Sequence, residues 1–229
     1  MSVFKQVKVL KSRRGFRIEL DGSFLQTPEK QVLEVPYPEL ANAISLEWKN
    51  RDKNIGLQAT PLTKLANTAV DCVPSKREKI IKELVGYGNT DLLCYRVEKP
   101  HDLKVLQEKL WQAPLEYFSS KTNVNLRVTH NVVPLQQNPE CLSKLASIVT
   151  GFDNFQLAGL LSLTCLSGSI VLGVSMLYGW MDVCEAWRLI FLDEFHQERI
   201  WGADGEALVR RKQIKTDLCN SHRFISLVV

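Results

Sequence analysis

A chain of 229 residues, 45% hydrophobic and 24% charged, is long enough to bury roughly 70% of the surface that its unfolded form exposes, so it should fold without staples. Its 29 basic and 25 acidic residues leave a net charge of only +4, too even a balance for the concentrated stripe that phosphate-backbone binding requires. Six cysteines at wide spacings, with no Cys-x-x-Cys pair, predict reduced thiols in an intracellular compartment and argue against a bunched zinc site.

The N-terminal residues carry no apolar h-region and begin at once with strand-like alternation, so no targeting segment is expected in this chain. Phe16, Ile18 and Leu20 alternate with Arg17 and Glu19, followed by the turn pair Asp21-Gly22 and by Ser23-Phe24-Leu25. This is a hairpin pattern. Val7 and Val9 before it, and Val32, Leu33 and Val35 after it, supply neighbouring strands of a small antiparallel sheet. The period then changes. Leu40, Ala43, Ile44 and Trp48 fall at helical spacing after Pro38, with Trp48 expected in the core. Thr60-Pro61 reads as a cap and first helical position for a helix carrying Leu62, Leu65, Ala66, Ala69 and Val73. Ser75 and Glu78 have capping-box spacing and predict the start of another helix, which buries Ile80, Ile81 and Leu84.

Leu103, Leu106, Leu110 and Trp111 predict the next helix, and Leu126 to Val133 a strand that returns to the sheet. Leu142, Leu145 and Ile148, and later Ala186 to Trp201, again read as helical. Between Asp153 and Asp182 no side chain is charged, a length sufficient to span a bilayer. Its interior polar residues Gln156, Ser162, Thr164 and Ser175, and its Ser167-Gly168-Ser169 centre, predict buried helices instead, without stable membrane insertion. The expected fold class is α+β: a small N-terminal antiparallel β-sheet domain over residues 1–70, followed by a mainly α-helical domain over 71–229.

Signals for chemistry are thin. Gly86-Tyr-Gly88-Asn-Thr-Asp91 lacks the third glycine of a dinucleotide fingerprint and ends a helical pattern, and no phosphate-loop motif occurs. Asp193 and His196 share a helix face in the manner of one half of a di-iron ligand set, but the other ligands are missing. The chain is therefore expected to be no enzyme and to use no cofactor and no metal. Two alternatives stay open: a helical enzyme with an unrecognised site, and a nucleic-acid-binding module using Lys8, Lys11, Arg13 and Arg14 with Arg210, Arg211 and Lys212. Asp91 and Arg96 can equally be read as an internal ion pair that fixes the turn after the capped helix, because buried opposite charges normally occur paired.

Several segments, in order, resemble the assembly chaperones of the F-type ATP synthase alpha subunit found in mitochondria and alphaproteobacteria. They are Leu20 to Pro28, Ala43 to Trp48, Pro61 to Ala69, Thr90 to Arg96, the Gly168-Ser169 pair, and Leu192 to Gln197 running into Trp201 to Ala207. The resemblance implies a sheet domain followed by a helical domain, in agreement with the periodicity. It implies an ATP-independent chaperone that holds the free alpha subunit, prevents its aggregation and hands it to the beta subunit. It also implies no nucleic-acid partner, a monomer when free, and a location in a bacterial cytoplasm or a mitochondrial matrix. The family's acidic motif falls on Asp193, Glu194, Gln197, Trp201, Asp204 and Glu206, which are the expected partner-binding residues. The competing reading places Trp201 in the core and the acids on a solvated helix face.

Overall fold

Residues 4–51, 60–131 and 133–229 are described by the structure, a computed structural model. The alternating N-terminal run forms strands β1 (Val7–Lys11), β2 (Phe16–Leu20), β3 (Ser23–Phe24) and β4 (Glu34–Val35), with β2 pairing antiparallel to the other three. Directly opposed residues share a face of a sheet. The register pairs Val9 with Ile18 and Val7 with Leu20 on the inner face, which is covered by helix α1 (Pro38–Lys49). Leu10, Arg17 and Glu34 form a row on the outer face, with Lys8, Glu19 and Phe24 beside it. At Asp21-Gly22 both residues have positive φ, 47° and 89°, as the tight reversal requires. The Asp21 carboxylate accepts from the Gln6 backbone N–H at 2.7 Å and so ties the chain start to the turn.

Trp48 is buried as expected, and its Nε1 donates to Thr63 Oγ1 at 3.1 Å. The next helix, α2 (Pro61–Asn67), has no side-chain cap bond from Thr60. Glu47, in the last turn of α1, supplies the cap instead. Its carboxylate accepts from the backbone N–H groups of Leu62 and Thr63, at 2.8 and 3.1 Å, and from the Thr63 hydroxyl at 2.9 Å. A single π turn at Thr68–Cys72 carries α2 without interruption into α3 (Val73–Thr90). Pro74 explains the widening: it has no N–H to give to the carbonyl four residues back, and its ring would collide with that carbonyl in an α-helix. The capping box expected at Ser75 is therefore absent. Ser75 lies inside the rod, where its hydroxyl donates to the Cys72 carbonyl at 3.2 Å. Residue 70, the expected boundary between the two domains, also lies within this rod.

Beyond α3 come α4 (His101–Thr122), α5 (Pro139–Thr150), α6 (Asn154–Ser167), α7 (Ile170–Leu177), α8 (Val183–Ile190), α9 (Leu192–Trp201) and α10 (Gly205–Ser226). The expected strand at Leu126 to Val133 does not return to the N-terminal sheet. It runs extended beside the end of α3 and makes one parallel bridge, Thr129 with Tyr95. Arg127 N–H and C=O are occupied there by the Gln137 side chain, which satisfies the backbone without a sheet. Val132 lies outside the described residues.

The uncharged stretch becomes α6 and α7, separated by Gly168 at φ 66°. No described helix is long and apolar enough to cross a membrane. α6 is instead the centre of the helical bundle, with α10, α7, α3 and α2 packed around it. A capping box does open this helix, formed by Asp153 and Gln156. Gly159 lets α10 approach closely, since a Cβ there would sit 2.6 Å from the Ile225 Cδ1. The fold is therefore a four-stranded antiparallel sheet followed by a mostly helical bundle. One continuous hydrophobic core runs through both.

Candidate functional site

The expected site falls on a helical hairpin. α8 is capped by Asp182, whose carboxylate accepts from the Cys184 and Glu185 backbones, and it breaks at Phe191 before α9 begins. α9 ends at Gly202, whose φ of 86° lets the chain reverse, and Asp204 caps α10 by accepting from the Glu206 N–H at 3.3 Å. Trp187, Phe191 and Phe195 recur every four residues and form a ladder along α8 and α9, with centroids 4.3 to 6.3 Å apart. Cations from α10 lie over it: Arg211 over Phe195 at 5.0 Å and Lys215 over Trp187 at 5.3 Å.

Charge closes the hairpin. Arg210 pairs with Glu194, and Arg211 pairs with Glu198 and stands 3.8 Å from Glu194. The Arg211 side chain is only 6% exposed, so these pairs are partly desolvated, and removing either partner would leave a charge stranded. On the opposite side α9 is bolted to α4. Asp193 accepts from Gln107 Nε2 at 2.7 Å, and His196 Nε2 lies 2.7 Å from Asp102, which also takes a bond from Arg199. The hydrogen bond from His196 holds the Asp102 carboxyl below the ordinary aspartate range.

The six expected residues therefore separate. Glu194, Gln197, Trp201 and Asp204 line one surface groove of about 550 Å³ between α9 and α10. Glu206 stands exposed on the first turn of α10, and Asp193 faces α4 as a tether. Trp201 does not pack in the core, contrary to the competing reading, because it is 77% exposed. Ile200, Leu208 and Val209, unmarked by the sequence motifs, are also exposed apolar side chains of α9 and α10. The available signal was an apolar Leu208-Val209 pair set between Glu206 and the basic run Arg210 to Lys212.

The other matched motifs have structural work. Asp91 and Arg96 do not pair with each other. Buried Asp91 accepts from Ser169 Oγ at 2.8 and 2.9 Å and from the Leu93 and Val171 backbones at 3.1 Å each. Arg96 donates to Gln112 and to the Leu93 carbonyl. Both glycines of the Gly86-Tyr-Gly88 run lie inside α3. His196 and Asp193 are committed to Asp102 and Gln107, and no cluster of metal-ligating side chains occurs among the described residues.

The hairpin is thus closed by its own ion pairs and presents the largely exposed Trp201 beside a surface groove. The family described as ATP12 chaperone protein matches residues 2–119 of the chain. The crystal structure of Atp12 from Paracoccus denitrificans superposes with a TM-score of 0.95 at 34% identity, covering 100% of this chain and 98% of that one. A protein from Agrobacterium tumefaciens gives the same TM-score at 28% identity, covering 100% and 86%. The mitochondrial protein atp12 of Schizosaccharomyces pombe is 25% identical over 217 residues, 89% of this chain and 75% of the relative. The chain belongs to the ATP12 chaperone family, the ATP synthase assembly chaperones to which its motifs point.

Proposed function

We propose that this chain binds the free alpha subunit of the F-type ATP synthase catalytic head, covers its unfinished subunit interface and yields it to the beta subunit, without an ATP cycle of its own. One observation supports this above the others: Ile200 and Trp201 at the end of α9, and Leu208 and Val209 in the first turns of α10, are each exposed, with Trp201 at 77% and Val209 at 72%. Exposed apolar side chains at adjoining helix ends, with exposed Gln197 and Glu206 on the same two helices, suit a protein surface that is itself apolar and needs cover. A subunit interface of the obligate kind is such a surface. Release needs only competition, since the beta subunit buries the same area permanently.

Asp193, Glu194 and Asp204 shape the hairpin, whereas Gln197, Trp201 and Glu206 reach the partner. The chaperone acts as a monomer in a mitochondrial matrix or a bacterial cytoplasm. The test is a solubility assay in which isolated alpha subunit is held with and without the chain in nucleotide-free buffer, after which beta subunit is added. The reading expects soluble alpha subunit in a stoichiometric complex that beta subunit dissolves. Alpha subunit that precipitates equally in both samples would contradict it.

A further inference from the structure

No described helix covers the outer face of the N-terminal sheet, and its loop end is strongly basic. Lys11, Arg13, Arg14 and Arg17 line a concavity of about 480 Å³ against Leu10 and Phe24, both exposed. Glu34 is the one carboxylate in that lining, so four cations face one anion. It is already committed, to the Ser12 hydroxyl and to Arg17 at 3.4 Å, and the Ser12 bond holds its carboxyl below the ordinary range. Arg17 lies 5.8 Å over the Phe24 ring, and its Nε has no hydrogen-bond partner among the described residues.

The loop that presents Arg13 and Arg14 is formed in advance. Ser12 N–H donates to the Gly15 carbonyl at 2.8 Å, and the Arg14 N–H donates to Ser12 Oγ at 3.3 Å. Gly15, at φ 150°, lies so close to Val35 that any Cβ would strike its carbonyl. Both arginines are therefore held outward and exposed on a braced turn.

We propose that this basic concavity is a second docking surface, distinct from the α9–α10 hairpin, and that it takes an acidic segment of a partner polypeptide. Carboxylates pair with Arg13 and Arg14, while an intervening apolar side chain covers Leu10 and Phe24. Interleaved acids on the same face, Glu19 and Glu34, oppose a polymer of uniform negative charge and so favour a polypeptide over a nucleic acid. The cations also share a single concavity.

The test uses the full chain and a short fluorescent peptide of alternating glutamate and leucine, read by anisotropy, beside a single-stranded oligonucleotide of equal charge and an alternating lysine and leucine peptide. Saturable binding of the acidic peptide is expected, weakened at least about tenfold by the double change Arg13→Glu and Arg14→Glu. The change Arg13→Lys with Arg14→Lys should restore most of it. Thermal melts confirm that both variants fold, since the residues are exposed. Absent binding, binding indifferent to charge reversal, or tighter binding of the oligonucleotide would overturn the proposal. The alpha-subunit solubility assay reports on the hairpin separately, so either surface can fail alone.

Discussion

Asp91 is fully buried and surrounded by donors that join the end of α3 to the start of α7. Burial pushes its carboxyl up to about 6, against the pull of the Val171, Ser169 and Leu93 donors. Because the folded value lies above the unfolded one, its contribution to stability is fully present below the ordinary aspartate value. That contribution is lost as pH rises through about 6. Chemical denaturation across this window should show it as a difference between the parent and Asp91→Asn, the variant lacking that component; parallel profiles would refute the assignment. Truncation is harsher. Asp91→Ala strands the Ser169 hydroxyl and two backbone N–H groups and should cost about 3 kcal/mol or more in the same experiment. Sequence reading marked Asp91 and Ser169 as parts of two motifs, yet their contact spans 78 positions and leaves no local trace. Arg96, only five positions from Asp91, was the tempting partner, but proximity along the chain does not place two side chains on one side of a turn.

Among the elements, α2 depends on a neighbour for its start. Glu47→Ala should uncap it and cost about 2 kcal/mol, since three hydrogen bonds to one partly buried carboxylate are lost together. A lowered melting temperature with unchanged helical content checks this; a melting temperature equal to that of the parent would show that Thr60 or water takes over. The Ser75-Glu78 spacing misled for a related reason. Capping boxes are read from local pattern, whereas the π turn around Pro74 allows the helix to pass straight through. At the bundle centre, Gly159→Ala should push α10 off α6 and cost about 1 to 3 kcal/mol, measured by denaturant midpoint at constant slope. The helical periods of α1, α4 and α5 were legible because each has one apolar face. α6 is buried almost all round, so the sequence shows its lack of charge and its length but not its partners.

For the whole molecule, the order of sheet and bundle follows from the change of hydrophobic period near Pro38, and the two parts share one core. The candidate site could be marked in the sequence only as a segment. Six residues from Asp193 to Glu206 were marked together, but only the packing separates the tether Asp193 and the cap Asp204 from the exposed Gln197, Trp201 and Glu206. Period cannot decide that separation, because both faces of α9 carry acids and aromatics. Trp201→Ala should weaken alpha-subunit capture by about 2 kcal/mol, roughly thirtyfold, while thermal stability stays within about 0.5 kcal/mol of the parent. A pull-down titration beside a thermal melt reads both quantities, and lowered stability would return Trp201 to a structural role.

Hydrogen–deuterium exchange on the chain, alone and in complex with isolated alpha subunit, tests the central claim most directly, because it reads every backbone segment at once. The account expects protection concentrated over residues 197–210, the end of α9, the reversal at Gly202 and the first turns of α10. Protection at the basic β1–β2 loop would add the second surface without altering this expectation. A stable complex in which residues 197–210 exchange as fast as in the free chain would contradict the account.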